Sequence, residues 1–78
     1  MAKSIYSDGQ EKLRTLLVEI REHAGLTQVM LAKKLKRPQS FISKYEGGER
    51  RLDLLELREI CNALGISLVE FIKKFERR

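Results

Sequence analysis

At 78 residues, with 42% hydrophobic side chains, one proline and five glycines, the chain holds one small core and is not a disordered composition. A single cysteine, Cys61, excludes an intrachain disulfide, and beside one histidine it builds no metal site, so neither metal nor cofactor is expected. The net charge is +5, and the excess sits in one place: residues 26–51 carry seven basic and two acidic side chains, while residues 1–25 and 52–78 are each balanced. A solvated basic face is common on small domains, but confinement to one segment favours a surface for a polyanion. No apolar run is long enough to span a bilayer, and the N-terminus lacks the apolar core of a signal peptide. A cytoplasmic protein with no membrane contact is the expectation.

Ser7-x-x-Gln10 fits a capping box, which predicts a first helix starting near Ser7 after a loose segment, 1–6. Leu13, Leu16, Leu17, Ile20 and Ala24 recur at helical spacing as its inward face, and Gly25 supplies a left-handed stop. Thr27 caps a second helix, with Leu26 before it able to staple to Leu31. That helix has Val29 or Met30, Leu31 and Leu35 on its apolar side, with small Ala32 between them. It ends around Leu35, because Pro38 pushes the residues before it out of helical geometry.

Pro38 suits the first turn of a third helix, about 38–46, which turns Phe41, Ile42 and Tyr45 inward and Gln39, Ser40, Ser43 and Lys44 outward. Gly47 and Gly48 end it, and Glu49, Arg50 and Arg51 form an exposed loop. Asp53-x-x-Glu56 is a further capping box, stapled by Leu52 and Leu57, for a helix that turns Leu54, Leu57, Ile60, Cys61 and Leu64 inward and stops at Gly65. Ser67-x-x-Glu70 caps a fifth helix, stapled by Ile66 and Phe71, with Leu68, Phe71, Ile72 and Phe75 on one face. No stretch alternates with period two. The fold class is therefore all-α: five short helices in one domain, residues 7–78.

Leu55 and Val69 are not needed by these faces, and Leu52 and Ile66 lie at their margins. They are either unplaced core or a self-complementary patch, and the second reading makes a homodimer the expected assembly.

Residues Thr27 to Glu46 form two short helices joined by a tight turn, the dimensions of a helix-turn-helix. The second helix of such a unit fits a major groove about 12 Å wide, and the first crosses the backbone to steady it. The close crossing needs a small residue, Ala32, and an apolar anchor ten residues later, Ile42. Gln pairs with adenine through two hydrogen bonds, Ser with several base edges, and Lys with guanine or a phosphate. Taken alone, Gln39, Ser40, Ser43 and Lys44 are equally ordinary solvated positions on an amphipathic helix.

The wider pattern decides between these. Arg21, the run Gly25 to Gln28, Leu31-Ala32, Leu35, Gln39-Ser40 with Ile42-Ser43, Glu46-Gly47, and Ala63 to Ser67 resemble the lambda repressor/Cro-like helix-turn-helix family (the xenobiotic-response-element type). The agreement spreads over about residues 12–75. The resemblance implies a sequence-specific regulator that binds a palindromic double-stranded DNA operator as a dimer. Gln39 and Ser40 would be its main base readers, joined by Ser43 and by Lys44 one turn on, and Phe41 would reach a thymine methyl. Gln28 would touch a phosphate and brace Gln39. Thr27, Lys36, Arg37 and Arg51 fall beside the same backbone.

Arg21 and Glu46 match a buried ion pair that ties the first helix to the third, and losing one partner would cost several kcal/mol. Two positions depart from the pattern: Lys36 stands where the turn has Gly, and Arg37 stands at the apolar position after it. Either Lys36 tolerates a left-handed backbone, at a cost of roughly 1 kcal/mol, or the turn differs from the pattern. The short chain is similar to restriction-modification controller proteins and small phage repressors, and Arg50 falls where controllers carry a DNA-contacting arginine.

No enzyme is expected, since His23 has no cluster of cysteine or carboxylates in register with it, and Cys61 lies on an apolar face. The alternative of another class is an antitoxin-like module that grips a protein partner with its C-terminal helices and keeps DNA binding for autoregulation.

Overall fold

The computed structural model describes the backbone of residues 5–78 and the side chains of residues 9–78. Five helices follow one another: α1 (Ile5–His23), α2 (Gln28–Leu35), α3 (Gln39–Glu46), α4 (Leu54–Leu64) and α5 (Leu68–Glu76), with no strand among the described residues. The all-α expectation holds. α2 packs most closely on α3, α4 packs on α2 and α5, and α1 runs beneath α3 and α5.

The starts of three helices follow from one side chain each. Thr27 Oγ1 accepts the Met30 amide at 3.1 Å, Ser67 Oγ accepts the Glu70 amide at 3.1 Å, and Asp53 with Glu56 closes a reciprocal capping box at 2.7 and 3.0 Å. Two starts differ from expectation. α1 already includes Ile5 and Tyr6, so Ser7 lies within the helix and does not cap it. The rest of the loose segment, 1–4, lies outside the described residues, as do the side chains of Ile5 and Tyr6. Pro38 is the N-cap of α3, extended at φ −64° and ψ 151°, and the first helical residue is Gln39.

The ends of α1 to α4 share one device, a pair of backbone hydrogen bonds closing over a left-handed residue. Gly25, Gly48 and Gly65 take that conformation at φ 75°, 86° and 83°; Lys36 takes it at φ 57° and is the one non-glycine to do so among the described residues. Its amide donates to Lys33 O at 3.1 Å and the Arg37 amide to Ala32 O at 3.0 Å, so the turn keeps its glycine geometry with a lysine in it. Lys36→Gly is therefore expected to stabilise the fold by about 1 kcal/mol, read as a higher urea midpoint with an unchanged slope.

The core gathers Leu16 and Leu17 of α1, Leu31 and Ala32 of α2, Phe41, Ile42 and Tyr45 of α3, Leu57, Ile60, Cys61 and Leu64 of α4, and Phe71 of α5. Ala32 and Ile42, which the spacing places at the α2–α3 crossing, are both buried, and α2 packs on α3. Burial pushes the Cys61 thiol up to about 11, which leaves it protonated and inert. It is packing, not chemistry.

Ala24, Leu54 and Ile72, expected inside, are exposed, and so are both candidates for the apolar side of α2, Val29 and Met30, each 45% exposed. Ala24 follows the last helical residue of α1, where the chain has already turned off the helix surface. Leu54 is the first residue of α4 and is 64% exposed. Ile72 follows Phe71 on α5, and Phe71 alone of that pair reaches the core. Together with Leu55 and Val69, which are also exposed, Leu54 and Ile72 leave four large apolar side chains uncovered on the two C-terminal helices. Leu52 and Ile66 instead pack partly against the core.

Candidate nucleic-acid interface

The site is built from the core outward along one hydrogen-bonded chain. Arg21, near the end of α1, reaches Glu46 at the end of α3 through two bonds, Nε to Oε2 at 2.7 Å and Nη2 to Oε1 at 3.1 Å. Its third arm donates to Leu26 O at 2.7 Å, which pins the α1–α2 connection to the same point. Glu46 Oε1 also accepts from Gln28 Nε2 at 2.8 Å, and Gln28 Oε1 accepts from Gln39 Nε2 at 3.3 Å. The two charged side chains are 11% and 7% exposed, and the Glu46 hydrogen bonds raise the Arg21 guanidinium above its ordinary range, so the guanidinium keeps its charge. The relay thus ends on an exposed amide at the first residue of α3.

Gln39, Ser40, Ser43 and Lys44 are all exposed. Gln39, Ser40 and Ser43 recur at helical spacing, and Ser43 Oγ donates back to Ser40 O at 3.3 Å. Thr27, Lys36 and Arg51 are exposed around them, and Gln28 is half-buried by its two amide contacts. Neither α2 nor α3 has an acidic residue in its first turn, whereas α4 and α5 open on Glu56 and Glu70. The positive ends of the two helix-turn-helix helices are left to an outside anion.

Phe41 corrects the expectation of a base contact. It is only 8% exposed, its ring meets Tyr45 edge-on with centroids 5.6 Å apart, and two guanidiniums cover it. Arg37 Cζ lies 4.4 Å and Arg50 Cζ 4.8 Å from the ring centroid. Phe41 shares the inward side of α3 with Tyr45, four residues on, and so cannot also face the groove.

The same cluster changes what Arg37 and Arg50 are. Arg50 donates to both oxygens of Glu56, at 3.0 and 2.8 Å; Arg37 lies 3.9 Å from that carboxylate and 3.5 Å from Glu59. The Arg50 hydrogen bonds, helped by the Asp53 amide, hold the Glu56 carboxyl down at about 2. Sequence reasoning found Glu56 as a cap and missed it as the partner of two arginines. No helical spacing links Arg37, Arg50 and Glu56; their meeting is a product of the fold. Among the described residues, no group of His, Cys, Asp or Glu is placed to hold a metal, and no helix is long and apolar enough to cross a membrane.

Comparison with known proteins agrees with this geometry. Residues 17–71 match the helix-turn-helix family model. An XRE-family like protein from Pseudomonas syringae pv. tomato str. DC3000 is 42% identical, over 94% of this chain and 89% of that one, with a TM-score of 0.88. The wild-type restriction-modification controller protein C.Esp1396I is 28% identical, over 96% of this chain and 95% of that one, at 0.84. A structure of that controller as a tetramer in complex with its natural 35 base-pair operator matches at 28% identity, over 96% and 95% of the two chains, at 0.83. A search of curated proteins finds no match. With a buried Arg21–Glu46 pair, Ala32 and Ile42 buried in the core and a family match over most of its length, this chain belongs to the lambda repressor-like, XRE-type helix-turn-helix family.

Proposed function

We infer that this protein is a sequence-specific transcriptional regulator that binds a double-stranded DNA operator as a dimer, with α3 in the major groove. The relay from Arg21 through Glu46 and Gln28 to Gln39 carries this reading. A base-reading amide gains selectivity when its orientation is fixed before the DNA arrives, because less rotamer freedom is lost on binding. Gln39, Ser40, Ser43 and Lys44 are the base readers. Gln28, Thr27, Lys36 and Arg51 hold the phosphates, with the N-terminus of α2 directed at one of them. A single domain over residues 7–78 does this in the cytoplasm, without catalysis. The exposed Leu55 and Val69, extended by Leu54 and Ile72, form the dimer face, and the two copies of α3 then meet half-sites about 34 Å apart.

Mobility shifts across salt concentrations test this. Binding to duplex DNA should weaken steeply as salt rises, since every neutralised phosphate releases counterions. On a site selected from a random pool, Gln39→Ala is expected to cost about 1–3 kcal/mol and to relax one base position. Equal weakening on random and selected duplexes would make Gln39 a backbone contact only.

A further inference from the structure

Glu56 stands apart from the reading helix, yet it controls the charge at both of that helix's ends. Arg37 immediately precedes the Pro38 cap of α3, and Arg50 lies in the loop that follows it. Both guanidiniums stack on the one ring of Phe41, at 4.4 and 4.8 Å, where two like charges would repel each other without an anion nearby. Glu56 supplies an anion to both: its oxygens take two bonds from Arg50 and lie 3.9 Å from Arg37, which also reaches Glu59 at 3.5 Å. Its own position is fixed, because the same carboxylate accepts the Asp53 amide at 3.0 Å in the α4 capping box and is only 14% exposed. Arg37 and Arg50 remain 33% and 38% exposed, so they lie at the surface, held and partly neutralised.

We propose that Glu56 sets the discrimination between operator and arbitrary DNA, by holding Arg37 and Arg50 over Phe41 and so withholding their charge from phosphates. The role rests on the DNA-binding reading above and deepens it. A free surface arginine strengthens binding to every duplex alike, because phosphates carry no sequence information. An arginine clamped by a carboxylate adds little to that background. Contacts made by Gln39 and its neighbours then form a larger share of the total. Glu56 is a positioning residue here, since it touches the arginines and not the DNA.

The test is Glu56→Gln, measured on a selected operator and on random duplex DNA across a salt series. Gln keeps the acceptor that the capping box needs, so the fold is expected to persist, which circular dichroism checks. The plot of log affinity against log salt should steepen by about 1–2 on random duplex, as one or two further phosphate contacts form. Random-duplex affinity should rise about tenfold near 0.1 M salt, with a smaller gain on the operator, so that the ratio between them falls. Adding Arg37→Gln and Arg50→Gln to that variant should return the slope to the parent value or below. A merely structural role would change melting and leave the slope alone. An unchanged slope in a folded Glu56→Gln protein, or an unchanged affinity ratio, overturns the proposal while leaving DNA binding intact. A parent protein with no salt-dependent binding overturns both readings together.

Discussion

Glu46→Ala is expected to destabilise the protein by about 3–5 kcal/mol, the usual cost of leaving one member of a buried ion pair alone. The carboxylate takes three hydrogen bonds, two from Arg21 and one from Gln28, at 2.7, 3.1 and 2.8 Å. Removing it leaves a guanidinium that is 11% exposed with only the Leu26 carbonyl to satisfy it. A domain this small has total stability on the order of 5–15 kcal/mol, so the loss is a large share of it. Urea unfolding of both proteins measures the difference directly. A loss below about 1 kcal/mol would mean that water reaches the pair and carries the charge.

The companion variant, Arg21→Met with Glu46→Leu, separates folding from recognition. Replacing a whole buried pair by apolar side chains of similar size is often neutral or stabilising. Most of the stability should therefore return. Operator affinity should not, because Gln28 has lost the acceptor through which it orients Gln39. Recovery of both properties would show that the pair serves only the fold.

The second large effect concerns assembly. Leu55→Ser together with Val69→Ser is expected to give a monomer by analytical ultracentrifugation and to cut operator affinity by about 100-fold or more. Linking two reading helices makes the second half-site contact intramolecular, which typically multiplies affinity by about 10²–10⁴. Leu55 and Val69 are 61% and 64% exposed in the single chain, so the substitutions remove little packing and the melting of the folded chain should barely move. Random-duplex affinity per chain should fall much less than operator affinity. A variant that stays dimeric would place the dimer contact elsewhere on the surface.

Much of this molecule is legible in its sequence because the signals are local. A helix start needs one side chain and an amide three residues away, which is why Thr27, Asp53 and Ser67 cap as predicted. A helix end needs one left-handed residue, which is why Gly25 and Gly65 sit where expected. The family pattern carried further still, pairing Arg21 with Glu46 across 25 residues and placing Gln28 beside Gln39. The sequence leaves the turn at Lys36 open between a left-handed lysine and a different turn, and the structure takes the first, at φ 57°.

Periodicity reads which side of a helix is apolar, but not how wide a stripe its neighbours will cover. Spacing alone turns Val29 or Met30, Leu54 and Ile72 inward, yet all four lie outside. Phe41 went the other way: a ring that spacing and family pattern left between core and groove is sealed by Tyr45, Arg37 and Arg50. The fold class, the reading helix and its brace were therefore determined by short-range chemistry and recurring pattern. The exposure of Leu54 and Ile72, and the state of the two arginines beside Glu56, depended on which surfaces the helices bring together. Only tertiary structure decides that, because a charge pair between a turn, a loop and a helix start leaves no periodic trace in the chain.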